Sequence, residues 1–464
     1  MGRMGISKKY GGRLLKAPAC RGYTPTDEVC PHPATLPARP VKNVRLNMKR
    51  HILSESNRRV SSRTPFSQKR REPQVCFESI ASFSMLGRAA LFATCRPCLV
   101  NSLTLGLGLV VAGMASHSAQ AATITHNNTN GALATASSWV GGVAPTTADT
   151  MLFDSTITSS LSMAAPSAVF GGPIQITGIG GNLTFSQSSG QTWTLTGGID
   201  MSAAAADLTI GTSGAFLRIA TAITPTFNVA SGRTLTINST LNNQGNTKTF
   251  NFTGPGNIIL NGTGNGGGGA TSFSVNGGAN LTLNGTGSWS GTTANVIVGT
   301  LNIGNDTALN ALTLNIGGTN ANTPTVTAVG GARTITNNVA LLATSLGGNP
   351  TISGSNALTL NGTVTNSGAN RTLSVNNSAL TTLGGTVNLS ESASNRTLTI
   401  NGSGNALISG VVANGSTSTA SALTYSGSGT LTLSNTNTYA GATTFKIPTL
   451  MGLQKLQKGL LFLL

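Results

Sequence analysis

The sequence predicts an all-β fold, a parallel β-solenoid over residues 122–445, on three observations. Short apolar alternations recur along this stretch. They are spaced at about the length of one solenoid coil. No segment has the period of an amphipathic helix.

The unit Thr234-Leu235-Thr236-Ile237-Asn238 is typical. Leu235 and Ile237 point one way and the threonines the other, as in a half-buried strand bounded by turn residues. Similar strand-plus-Asn units end at Asn238, Asn261, Asn284, Asn315, Asn361, Asn376 and Asn401. The first two gaps are 23 residues and the step from Asn315 to Asn361 is 46; gaps of 31, 15 and 25 are irregular. A parallel set begins with Arg233, Arg333, Arg371 and Arg396, each followed by Thr and an apolar residue.

One such strand has too little apolar surface to fold alone, and stacked coils bury the strands in one column. Asn and Gly after the strand suit a corner because both tolerate positive φ. Equivalent asparagines on adjacent coils are expected to hydrogen-bond as a ladder. A β-sandwich array and low-complexity disorder are the competing readings. The repeat is one coil long, not one domain long, which disfavours the first. The regular Leu/Ile/Val positions and the absence of net charge disfavour the second.

Charge and cysteine are confined to the ends. Residues 1–122 carry 19 Lys+Arg against 5 Asp+Glu, a net of +14 out of +17 for the 464-residue chain. Residues 123–445 carry six basic residues and six acids. That balance leaves no basic face for phosphates and excludes nucleic acid as a partner of the body. All five cysteines precede residue 100, so the body has none for disulfides or thiolate sites.

Residues 85–121 have the pattern of a secretory signal peptide. Met85, Arg88 and Arg96 give a positive start, and Leu99–Ala115 an apolar core. Ala119 and Ala121 place small residues where a signal peptidase reads, with cleavage before Ala122. The apolar run, at 17 residues, is short for a membrane anchor, which needs about 20. The basic leader 1–84 does not fit in front of a signal; it reads as a start site assigned too early rather than a nucleic-acid arm. Cys95-Arg-Pro-Cys98 has redox spacing but falls inside the signal.

Residues 427–444, GSGTLTLSNTNTYAGATT, carry Gly427, Gly429, Leu431, Leu433, Asn437, Thr438, Tyr439, Gly441, Thr443 and Thr444 in register with a known pattern. The segment resembles the autotransporter-associated β-strand repeat of bacterial surface passengers. Residues 122–160, with Trp139, Gly141, Gly142, Pro145, Asp149, Phe153 and Asp154, resemble the opening element of such passengers, a cap over the first coil. The resemblance implies a right-handed parallel β-helix over 161–445 at the cell surface or in the medium. Export machinery would be its first partner; the resemblance implies no target, and a host-cell, matrix or polysaccharide surface is the expected contact. It also implies a downstream translocator or anchor. The Leu/Lys-rich tail 446–464 departs from the repeats and reads as a truncation or frameshift; the alternative is a short membrane tail.

Catalysis is not expected, and neither is a cofactor or metal. The body has one histidine, His126, and a single imidazole makes neither a triad of the serine type nor a metal site. Its closest acid pairs are Asp149/Asp154 and Asp200/Asp207, read as cap or turn aspartates; Asp200 and Asp207 flank an Ala run read as a loop. Gly264–Gly269 lacks the Lys-Ser/Thr of a phosphate loop. The expected function is structural or adhesive. The alternatives are a carbohydrate-active β-helix enzyme, and an ice- or polysaccharide-binding solenoid using Thr234/Thr236, Thr397/Thr399 and Thr430/Thr432 as a flat face.

Overall fold

The computed structural model describes residues 121–220, 224–265, 269–317, 323–342 and 348–446. The leader 1–84, the signal through Gln120 with its CxxC, and the tail from Ile447 lie outside these residues.

The described chain is a parallel β-solenoid of about thirteen coils. The complete coils visit three faces in the same order. Lys248–Thr253 lies on the first face, Asn257–Leu260 on the second and Gly264–Asn265 on the third; Thr271–Val275 then returns to the first. The first and second faces are sheets of 13 strands each. The third is split into two sheets of five, Thr192–Leu195 to Gly287–Ser288 and Arg333–Ile335 to Leu431–Leu433. Strands pair in parallel with the coil before and the coil after. Crossovers between parallel strands are right-handed almost without exception.

The alternation read from the sequence is the in–out alternation of the strands. Leu235 and Ile237 are fully buried while Thr234 and Thr236 are half-buried. Burying two such side chains contributes about 3–6 kcal/mol, and ordering four backbone residues opposes it by roughly 4–8 kcal/mol. A strand therefore holds only with neighbours on both edges. Aromatic residues fill the centre of the core, with Phe227 stacked on Phe252 at 5.4 Å and Phe273 against Trp289 at 5.5 Å.

The asparagine ladder is present. Asn261 Nδ2 donates to Asn238 Oδ1, and Asn284 Nδ2 to Asn261 Oδ1, each at 2.8 Å across 23 residues. The remaining copies occupy other places, which explains the irregular gaps. Asn315 lies within a first-face strand, Asn361 follows a third-face strand, and Asn376 and Asn401 belong to second-face strands. The arginine set divides likewise. Arg233 and Arg396 precede second-face strands and Arg333 opens a third-face strand, whereas Arg371 is buried at an inward position of the second face.

The corners divide into two kinds: Gly211, Gly254 and Gly402, each directly after a strand, have positive φ as expected, whereas the glycines after the ladder asparagines are required for another reason. Among the described non-glycine residues only Gln244, Asn310 and Ser416 have φ in that region, and Gly262 and Gly285 do not. A Cβ on Gly285 would overlap the carbonyl oxygen of Gly262, one coil earlier, and a Cβ on Gly262 that of Ser239. Close backbone approach, not turn geometry, requires glycine there. Gly285→Ala is expected to destabilise the protein by more than ~1 kcal/mol, since the backbone must move to admit the methyl. An unchanged urea midpoint would show that the corner relaxes freely.

The N-terminal end departs from the coil pattern. Residues 136–142 form two short 3-10 turns, and His126 makes an antiparallel bridge with Trp139. Trp139 and Phe153 are fully buried with ring centroids 5.8 Å apart, and the Trp139 indole donates to the Leu133 carbonyl at 2.7 Å.

Candidate functional site on the second face

The side of the second face away from the apolar core carries a largely polar, uncharged lattice, most of it half-buried, with Ile259 as its apolar member and Asn302 and Thr327 buried. In the middle coils Thr236, Ile259, Thr282, Asn302 and Thr327 occupy one register column. Thr234, Asn257, Asn280, Thr300 and Thr325 form the column beside it. Positions repeat about every 4.8 Å between coils and about 6.7 Å along the strand.

Side-chain bonds tie the columns together. Asn280 donates to Asn257 at 2.8 Å. Asn302 donates to Asn280 at 2.6 Å and to Thr282 at 3.0 Å, and accepts from the Thr327 hydroxyl at 2.7 Å. Asn238, Asn261 and Asn284 border the lattice at the next corner. Held amides and hydroxyls at fixed spacing can exchange hydrogen bonds with a neutral, hydroxyl-rich polymer. They present nothing to a strongly charged ligand.

The three threonine pairs read as one flat face do not share one. Thr234/Thr236 and Thr397/Thr399 lie on the second face, and Thr432 lies on the third. Thr430 precedes that third-face strand and donates its backbone N–H to Asn405.

Every carboxylate of residues 123–445 is engaged. Asp149 accepts from the backbone N–H of Ala122 and Thr146 and from the Thr146 hydroxyl. The Thr146 hydroxyl, then the two backbone donors, hold its pKa below the usual carboxylate range. Asp154 accepts from Thr156 N–H, Asp200 from Ser202 N–H, Asp207 from Thr234 N–H and Asp306 from Thr334 N–H. Asp200 lies inside the first-face strand Ile199–Ala203, so the start of the expected Ala loop is strand; Asp207 precedes the second-face strand Leu208–Ile210. Glu391 pairs with Arg396 at 2.6 Å. Partial burial pushes the Glu391 carboxyl up, but backbone N–H bonds and Arg396 outweigh it and the net direction is down.

His126 is fully buried between Trp139, edge-on at 4.9 Å, and Phe153, stacked at 5.2 Å. Neither ring nitrogen has a hydrogen-bond partner. Desolvation lowers its pKa to about 4, so the imidazole is neutral and serves as an apolar ring.

Internal polar residues escaped the sequence reading. Asn243, fully buried, donates to Thr271 Oγ1 at 2.6 Å and to the Gly269 carbonyl at 3.0 Å. Buried Lys248 donates to the Ala220 carbonyl at 3.2 Å, and burial lowers its pKa. Lysine in a Lys-Thr-Phe-Asn-Phe alternation was the available signal, because Lys248 shares the parity of Phe250 and Phe252.

The segment 427–444 forms the last described coil. Leu431–Leu433 closes the third face, and Thr443, Thr444 and Phe445 pair with Leu423–Tyr425 on the second. Between them Asn437 Oδ1 accepts from Val412 N–H at 2.8 Å, in place of a first-face strand partner. The Thr438 N–H donates to the Val412 carbonyl, and the Tyr439 and Thr443 hydroxyls share a hydrogen bond. A Cβ on Gly429 would overlap the Gly404 carbonyl oxygen and one on Gly441 that of Ser421. Gly427 is hemmed in by Tyr425. Of the residues named for signal cleavage, Ala121 and Ala122 are exposed, and Ala119 lies outside the described residues.

No protein-family model, curated protein or solved structure matches the chain. Among the described residues no three His, Cys, Asp or Glu side chains group as metal ligands, and no helix is long and apolar enough to cross a membrane.

Proposed function

We propose that the protein is an exported, passenger-like β-solenoid with a structural or adhesive role and no catalytic activity. The observation that carries this reading is the division of labour among polar groups. The carboxylates hold backbone or an arginine, and the single imidazole is packed as a ring. What remains outward on the second face is an uncharged array of amides and hydroxyls. The signal pattern before Ala122 and the motif at 427–444 support export and the passenger class. The same array favours a neutral polysaccharide or matrix surface as the contact.

The test has two arms. The full chain, expressed in a bacterial host, is expected in the outer fraction or the medium; retention in the cytoplasm would remove the export reading. Purified protein is expected to bind immobilised neutral polysaccharide, and Thr282→Lys to weaken binding at least tenfold. Thr282 is half-buried and accepts from Asn302, so the urea midpoint of the variant is read beside its binding, and weakened binding at an unchanged midpoint marks a lost contact. Background binding by both proteins, on polysaccharide and on cells, would remove adhesion.

A further inference from the structure

Ala122 is the residue before which cleavage is expected, and its nitrogen already has a specific partner. It donates to Asp149 Oδ1 at 2.8 Å, although the two residues are 27 apart in sequence. The Ala122 carbonyl accepts from Thr150 N–H at 2.8 Å, which starts the pairing of Thr123–Thr125 with the next first-face strand. Asp149 is 8% exposed, whereas Ala122 is exposed to solvent.

The carboxylate is already oriented from the other side. Its Oδ2 takes the Thr146 N–H at 2.8 Å and the Thr146 hydroxyl at 2.6 Å, leaving Oδ1 to Ala122 with a lone pair to spare. The strands packed here, Thr123–Thr125, Thr150–Phe153 and Ile174–Thr177, carry no ionisable side chain, and neither does the loop 143–148. Asp149 therefore faces no cation among these elements. Three neutral donors already stabilise this nearly buried carboxylate, and a positive charge on the nitrogen that meets Oδ1 would strengthen that bond further.

We propose that Asp149 is a preformed receptor for a new N-terminus, the α-ammonium of Ala122 released by proteolytic cleavage. The inference rests on the export reading above. A host signal peptidase would hydrolyse the Ala121–Ala122 bond with water. The hydroxyl of water joins the Ala121 carbonyl carbon and its hydrogen joins the Ala122 nitrogen, which takes one more proton from solvent. One N–H of the ammonium keeps the existing bond, now strengthened by charge, and pins the first strand of the solenoid. Processing and locking of the N-terminal coil are thereby one event.

The experiment is made on the full chain expressed in an export-competent bacterial host, as wild type and as Asp149→Asn. Intact mass and N-terminal sequencing are expected to place the mature start at Ala122. An amine-reactive ester at pH 8, followed by peptide mapping with the lysine side chains as internal standard, then reads the α-amine. At this pH wild type is expected to label about fivefold more slowly than Asp149→Asn, the effect of one unit of pKa on an α-amine that ordinarily titrates at ~7.7–8.0. A start at Ala122 with equal labelling in both proteins overturns the receptor and leaves export standing. An exported protein that starts elsewhere overturns the receptor alone, and a chain retained uncleaved in the cell overturns both. If Asp149→Asn does not accumulate, the wild-type labelling profile decides. A midpoint in the ordinary α-amino range, near ~7.7–8.0, overturns the proposal, and a higher one supports it.

Discussion

Trp289→Ala is expected to destabilise the solenoid by about 4 kcal/mol, the range for removing a large buried aromatic. The indole is 1% exposed and lies 5.5 Å from Phe273 and 6.2 Å from Phe250, ring centre to ring centre. Its N–H donates to the Ala308 carbonyl at 2.9 Å. Gly264 has no room for a Cβ because the indole lies over it. The site is also where the third face is interrupted. Its first sheet ends at Gly287–Ser288, and the next coil crosses with a turn in which Ala308, Leu309 and Leu312 are buried. Asn310 holds that turn with φ of 47° and donates to the Trp289 carbonyl at 3.0 Å. A coil array is stabilised by nearest neighbours, so losing this plug weakens the joint between the two halves of the third face. The urea transition is expected to shift and broaden, with limited proteolysis opening the chain around residues 305–312. Trp289→Phe should recover most of the loss. A midpoint within ~1 kcal/mol of wild type would show that the turn packs without the indole.

The second large effect is acid sensitivity from His126. The folded state holds the ring neutral down to a pKa of about 4, against 6.5 for an ordinary histidine. Between those values the unfolded chain binds a proton that the folded chain does not. The stability present above pH 6.5 is therefore lost as pH falls through this window, and the loss is complete below pH 4. Its size is about 3 kcal/mol, from 1.36 kcal/mol per pKa unit. His126→Phe keeps a ring between Trp139 and Phe153 and cannot titrate. Urea midpoints of the two proteins are expected to run parallel above pH 7 and to diverge towards pH 4, with the wild type falling further. Aspartates with depressed pKa, such as Asp149, add acid sensitivity to both proteins and cancel in the difference. Parallel curves over the whole range would mean that the ring protonates in place.

These two sites were legible to different degrees. Trp139 and Phe153 stood out as bulky residues just after the signal pattern, and both are buried together. That His126 would be wedged between them was not legible, because the contact needs an antiparallel bridge between residues 13 apart. Trp289 sat in a Gly/Ser-rich stretch with no alternation around it. Its partner turn lies one coil later, at Ala308. The asparagine ladder was legible where successive coils have equal length, as at Asn238, Asn261 and Asn284. Elsewhere, where coil lengths differ, the same spacing argument joined residues of different faces.

The clearest limit is a six-residue string that occurs twice. Leu-Thr-Leu-Asn-Gly-Thr spans residues 281–286 and again 358–363. In the first copy Leu281–Leu283 belongs to the second face; in the second, Leu358–Leu360 lies on the third. In both, the leucines are buried and the threonine is half-buried. The sequence by itself thus determined what depends on period two: which side chains point inward, that the strands are short, and that they must stack. Only the tertiary structure decided which face each strand occupies and which polar residues meet. A strand's face depends on the number of residues spent in all the corners before it. Identical local strings carry no record of that history.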